Sequence, residues 1–128
     1  MTMQFSGSSG LTFPDTSTQS SGKQVCKAWV NFNGVSGTTI RGSYNISSVT
    51  RVSTGRYDVN FTNSMPDANY SPVAFLNGNS GTGAGAFAAA GLWGINSLAT
   101  GSVRVEYYNN DSGVYVDSAL VFVAIFSS

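Results

Sequence analysis

The chain predicts an all-β fold, an antiparallel β-sandwich of about seven or eight strands preceded by an extended N-terminal arm, on three observations. Apolar residues recur at every second position in successive stretches, turns bearing glycine and asparagine separate those stretches, and no stretch carries a convincing helical repeat. The 128 residues suit one domain with a short tail, an arm over residues 1–22 and a sandwich over residues 23–128.

Residues 1–22 are rich in Ser, Thr and Gly, with Phe5, Leu11 and Phe13 as spaced apolar anchors. Alone they bury too little surface to fold. Two readings stand: a disordered leader, or an arm whose three anchors pack against neighbouring copies of the chain.

Residues 25–70 organise the rest. Cys26, Ala28, Val30 and Phe32 fall on one face of a strand, with Lys27, Trp29, Asn31 and Asn33 on the other. A second strand sets Ile40, Gly42, Tyr44 and Ile46 against Arg41, Ser43 and Asn45. A third sets Tyr57, Val59 and Phe61 against Arg56, Asp58, Asn60 and Thr62. Asn33-Gly34, Ser53-Thr54-Gly55, Asn77-Gly78 and Asp111-Ser112-Gly113 punctuate the strands, because Gly and Asn accept positive φ at little cost. Pro66 followed by Asp67 predicts a type I turn, and Pro72 limits the next strand to an edge or to its own first residues. The segment over residues 77–101 reads as a long loop. The last run, residues 119–126, is apolar on both faces: Leu120, Phe122, Ala124 and Phe126 point one way, Val121, Val123 and Ile125 the other. One face meets the core. The second needs a cover, either an adjacent subunit or the chain's own Gly/Ala-rich loop, and Val121, Val123 and Ile125 are assigned to a subunit interface together with Phe5, Leu11 and Phe13.

Four blocks carry a resemblance: Lys27-Ala28-Trp29-Val30-Asn31-Phe32-Asn33-Gly34, Ile40-Arg41-Gly42-Ser43-Tyr44-Asn45, Tyr57-Asp58-Val59-Asn60-Phe61-Thr62 and Met65-Pro66-Asp67-Ala68-Asn69-Tyr70. In this order they resemble the C-terminal module of bacteriophage tail fibres and related virion appendages. Ser102-Val103-Arg104-Val105 and the run over residues 119–126 resemble that module's last two strands, and residues 10–19 its preceding connector. The resemblance implies a homo-oligomer, most simply a trimer, in contact with other virion proteins and with a host-surface glycan or protein receptor. It implies a tail fibre or fibre-tip component; a capsid decoration or appendage-joining subunit is the alternative.

Composition narrows the classes of function. Only 9% of residues are charged, against roughly 25% in ordinary soluble domains, and the formal net charge is zero. Lys23, Lys27, Arg41, Arg51, Arg56 and Arg104 form no cluster of the kind phosphate binding needs, so nucleic acid is not an expected partner. The N-terminus has neither a basic nor an apolar signal region, and no apolar run reaches the roughly 18 residues of a membrane span. With no histidine and one cysteine, neither an intramolecular disulfide nor a Cys/His metal cluster is expected, and Cys26 reads as a small buried hydrophobe. No cofactor is implied, and the location expected is the virion.

Catalysis finds little material. The carboxylates are Asp15, Asp58, Asp67, Glu106, Asp111 and Asp117. A glycan depolymerase would need two of them facing one cleft. Asp58 and Glu106 are the pair in question, with Asp58 beside Arg41 or Arg56 as a solvated cross-strand pair the plainer reading. Without histidine no Ser/His/Asp or Cys/His nucleophile forms. The run over residues 81–85 lacks the following helix and the Gly-Lys-Ser/Thr ending of a phosphate loop. Binding remains. Tyr108, Asn109, Asn110 and Tyr115 gather aromatic faces and amides at a predicted hairpin end, with Trp93 from the long loop as a further candidate. Such groups hold sugars through ring faces and hydroxyl hydrogen bonds. The protein is therefore expected to bind, not to catalyse.

Overall fold

The computed structural model describes residues 4–6, 10–12, 18–19, 26–35, 37–76, 91–109 and 113–127. Among them are the strands β1 (Gln4–Ser6), β2 (Gly10–Thr12), β3 (Thr18–Gln19), β4 (Cys26–Asn33), β5 (Thr39–Tyr44), β6 (Ile46–Ser53), β7 (Arg56–Phe61), β8 (Ser71–Leu76), β9 (Gly91–Ala99), β10 (Ser102–Asn109), β11 (Val114–Tyr115) and β12 (Val121–Phe126). No helix occurs among the described residues. The described N-terminal residues are three short antiparallel strands paired in the order β1-β2-β3, where a single extended arm was expected. Phe5 stands opposite Leu11 in the backbone register; the side chains of both, and Phe13 entirely, lie outside the described part.

The remaining strands form two antiparallel sheets. One has the order β5-β4-β12-β8. In the other β6 pairs with β7, and β7 and β11 lie end to end along one edge of β10 while β9 runs along its opposite edge. Their inner faces share one core. Ala28, Val30, Phe32, Val121, Val123 and Ile125 come from the four-stranded sheet; Val49, Tyr57, Val59, Phe61, Val103 and Val105 come from the five-stranded one. Phe32 meets Tyr57 edge-on across the core at 5.2 Å between centroids. Met65 and Tyr70 close one end, with the Tyr70 hydroxyl donating to the Ala99 or Ser102 carbonyl, each 2.9 Å away. Period-two alternation in β4 and β7 thus produces the inner face that the sequence predicts, and β10 alternates in the same way.

Four expectations change. The strand expected through Ile46 breaks at Asn45, whose φ of 56° lies in the left-handed region. Asn tolerates that region because its short amide bonds locally. Here Nδ2 donates to the Lys27 and Asn63 carbonyls at 3.1 Å each, while Oδ1 accepts the Asn63 N–H at 2.8 Å. At this corner the chain leaves the four-stranded sheet and enters the five-stranded one, so Tyr44 ends outside the core and nine strands follow residue 25 among the described residues. Second, the supposed long loop ends in β9, paired with β10 along its whole length. Third, Val121, Val123 and Ile125, assigned to a subunit interface, are buried in the chain's own core; Phe122 and Phe126 are the exposed side of β12. Fourth, Asp58 pairs with neither Arg41 nor Arg56, but with Arg104 on β10. Pro72 sits, as expected, on the edge strand β8.

A polar hub locks the two sheets at the other end. Asp117, in the segment between β11 and β12, accepts the Gly55 N–H at 2.8 Å and the Tyr57 hydroxyl at 2.7 Å, and pairs with Arg51 at 2.7 Å. Burial pushes the Asp117 carboxyl up, but Arg51, the Gly55 amide and the Tyr57 hydroxyl together hold it below its ordinary value. Burial, followed by the adjoining carboxylate, raises the Tyr57 phenol. Gly34 lies against this hub, where a Cβ would collide with the Tyr57 hydroxyl and sit 2.9 Å from the Ser118 carbonyl.

Candidate functional site

The inner faces of β4, β7, β10 and β12 are spent on the core, while Ile95 and Leu98, on the inner side of the edge strand β9, stay 37% and 41% exposed; the rest of the accessible surface lies on the outer faces of the sheets and on their ends. The two outer faces differ in kind.

On the five-stranded sheet, the outward residues of β7 and β10 are polar, as are Ser48 and Thr50 of β6, while Val52 of β6 is exposed and apolar. Asp58 and Arg104 are opposite one another in register and form a two-pronged ion pair, 2.6 and 2.8 Å. The neighbouring pair, Arg56 and Glu106, stands at 3.2 Å with Glu106 buried. The charges therefore alternate around a square of four. Beside them Asn60 Nδ2 lies 3.0 Å from the Ser48 hydroxyl and 3.2 Å from that of Thr50, donating to both. This face pairs most of its polar groups side chain to side chain, although Arg56 Nε, at ion-pair distance from Glu106, has no hydrogen-bond partner among the described residues.

The β10–β11 end of the same sheet carries the predicted binding residues. Tyr108 and Tyr115 face each other in register and meet edge to face at 5.2 Å. The Arg56 guanidinium lies 4.0 Å from the Tyr115 ring centroid, a cation–π contact. The Tyr108 hydroxyl donates to the Gly113 carbonyl at 2.9 Å. Asn109 is half-buried, pairing in the ladder with Gly91 and Val114. The structure thus brings Tyr108, Asn109 and Tyr115 to one hairpin end. Asn110 lies outside the described residues, as does the side chain of Trp93, whose backbone stands opposite Tyr107. Arg56 and Glu106 join this group unpredicted, and the only sequence signal for them was the outward parity of their strands.

Asp58 and Glu106, the pair weighed for glycan cleavage, share this outer face on diagonal positions, each against an arginine. Among the described residues no group of three or more His, Cys, Asp or Glu is placed to hold a metal ion, and no helix is long and apolar enough to cross a membrane.

The outer face of the four-stranded sheet contrasts with this. Its strands contain Lys27 and Arg41 but no Asp or Glu. One cross-strand row reads Tyr44, Trp29, Ala124, Val73; the next reads Gly42, Asn31, Phe122, Phe75. Trp29, Tyr44, Val73, Phe75, Phe122 and Phe126 are all between 42% and 65% exposed. The Trp29 ring spreads over Gly42, where a Cβ would stand only 3.3 Å from it. Arg41 steadies Asn31 with a hydrogen bond of 3.2 Å and reaches the Ala119 carbonyl at 2.7 Å. Between the rings of Trp29, Phe75, Phe122 and Phe126, with Ala124 among its lining, runs an open groove of about 430 Å³. Sequence reasoning placed Trp29 on the outward face of its strand but missed its companions on β8 and β12.

Comparison of the chain with protein-family models, with curated proteins and with solved structures finds no match.

Proposed function

We propose that this chain is a non-enzymatic bacteriophage virion protein, a tail fibre or fibre-tip component that contributes to recognition of the host surface. The observation that carries the reading is the hairpin end, where the Tyr108 and Tyr115 rings and the Arg56 cation crowd together beside Asn109. Ring faces against sugar C–H surfaces, with amides and a guanidinium for the hydroxyls, suit a host-surface glycan or a polar protein receptor. The resemblance of the four sequence blocks supports the same reading, and a surface poor in net charge suits contact with neutral polymers. The test is competition: purified protein should bind susceptible cells and reduce infection. Tyr115→Ala and Asn110→Ala should weaken that binding at least severalfold while both variants remain folded. Release of reducing sugar from host polysaccharide, abolished by Asp58→Asn or Glu106→Gln, would replace this reading with a depolymerase.

One observation favours a second reading, a structural subunit such as a capsid decoration or appendage-joining protein. A sheet face lined by aromatic rings is built for protein contact. Under that reading the protein would be found on isolated capsids or at a tail joint, and would not bind cells.

A further inference from the structure

We infer that the outer face of the four-stranded sheet is a homotypic interface, covered by a second copy of this chain. The inference stands apart from the virion role, since it rests only on what this face would do in water.

Three features choose the occupant. The first is area. Taking roughly 150–250 Å² for a buried aromatic side chain, the five half-exposed rings of Trp29, Tyr44, Phe75, Phe122 and Phe126 leave on the order of 500 Å² open. With the flanking Val73, Ala124 and Asn31 this approaches the roughly 800 Å² that each partner contributes to a standard interface. The second is shape. The face is a twisted β-sheet surface with projecting rings around a groove, the relief by which this chain's own two sheets interlock, so a like sheet can stack on it at the ordinary sheet-to-sheet spacing. Phe75, the most exposed of the rings, stands on the edge strand β8 where it can reach across. The third is charge. A partner with an acidic surface would find only Lys27 and Arg41, and Arg41 already has its donors on Asn31 and the Ala119 carbonyl. Two copies of a chain with zero formal net charge meet no long-range repulsion.

The test is the native mass of the full chain by light scattering at tens of micromolar, for the wild type and for Phe75→Lys, Phe122→Lys and Val52→Lys. Val52 is similarly exposed on the other sheet and serves as the control for an added charge. The expected result is a wild-type mass of two or three chains, falling to one chain in both phenylalanine variants and unchanged in Val52→Lys, with circular dichroism showing all four folded. Should a lysine variant fail to fold, Phe75→Ser takes its place, because that side chain is the most exposed of the set. A single-chain mass for the wild type, an oligomer that survives every folded substitution on this face, or one that Val52→Lys also dissolves would each overturn the inference.

Discussion

The two outer sheet faces are made by the same alternation and end in opposite states. On the five-stranded sheet the outward positions of β6, β7 and β10 are mostly polar and pair with one another: Arg104 with Asp58, Arg56 with Glu106, Asn60 with Ser48 and Thr50. On the four-stranded sheet Trp29, Tyr44, Val73, Phe75, Phe122 and Phe126 stand outward beside a few polar residues such as Lys27 and Asn31, and about half of the surface of each is exposed. A face that satisfies itself gains little from being covered, whereas an apolar face gains in proportion to the area removed from water. Under the two proposals, the apolar side serves assembly and the other, with its tyrosine-rich end, a polar ligand.

The strongest way to break this contrast is to test β12, where the two environments alternate residue by residue. Val123→Asp puts an unpaired carboxylate in the core and should cost several kcal/mol, enough to unfold a domain of this size. Phe122→Asp, one residue away but pointing outward, should leave a folded chain whose melting differs little once the copies are separated. Urea titration of both variants checks the pair. Equal loss of stability would mean that the outer face is as interior as the inner one.

Next in size is the hub that joins the sheets. Tyr57→Phe removes a buried hydroxyl from Asp117 and should cost about 1–3 kcal/mol. Its pH dependence has a definite sign. The Asp117 carboxyl is lowered on folding, so its contribution is present above the ordinary carboxylate pKa near 4 and is lost as pH falls through the folded value. The Tyr57 phenol is raised, so its contribution is present below about pH 10 and is lost as pH climbs toward the folded value. Melting temperature against pH should therefore fall at both ends. Asp117→Asn should flatten the acid limb and Tyr57→Phe the alkaline one.

These effects explain which parts of the molecule could be read from residues alone. Wherever one face of a strand is polar, as in β4, β7 and β10, contrast between neighbours reveals the inward side, and Ala28, Val30, Phe32, Tyr57, Val59, Phe61, Val103, Val105 and Tyr107 all lie there. In β12 both faces are apolar, contrast is absent, and only the register against β4, which sets Ala124 opposite Trp29, decides the side. β9 was hidden for a different reason: its Gly, Asn and Ser residues read as loop, and its strand state comes from lying along the full edge of β10. Of the hairpin end, Tyr108 and Tyr115 are neighbours through a short turn, so their meeting was within reach. Arg56 arrives from a strand distant in sequence, and no local pattern reports it.

The smallest effects belong to positions that set the two faces apart without filling either. Asn45→Ala removes the amide bonds at the corner and leaves a side chain in the left-handed region, and should cost about 1–2 kcal/mol. Asn45→Gly restores the backbone freedom but not the bonds, so it should recover only part of that loss by thermal melting. Full recovery would make the corner a matter of backbone conformation alone. Below both stands Asp58→Asn on the polar face, where Arg104 is open to solvent and water can replace the lost charge. No change in melting beyond measurement error is expected at moderate salt. A clear drop would mean that this face is shielded from water, and that the partner-seeking surface is not confined to the four-stranded sheet.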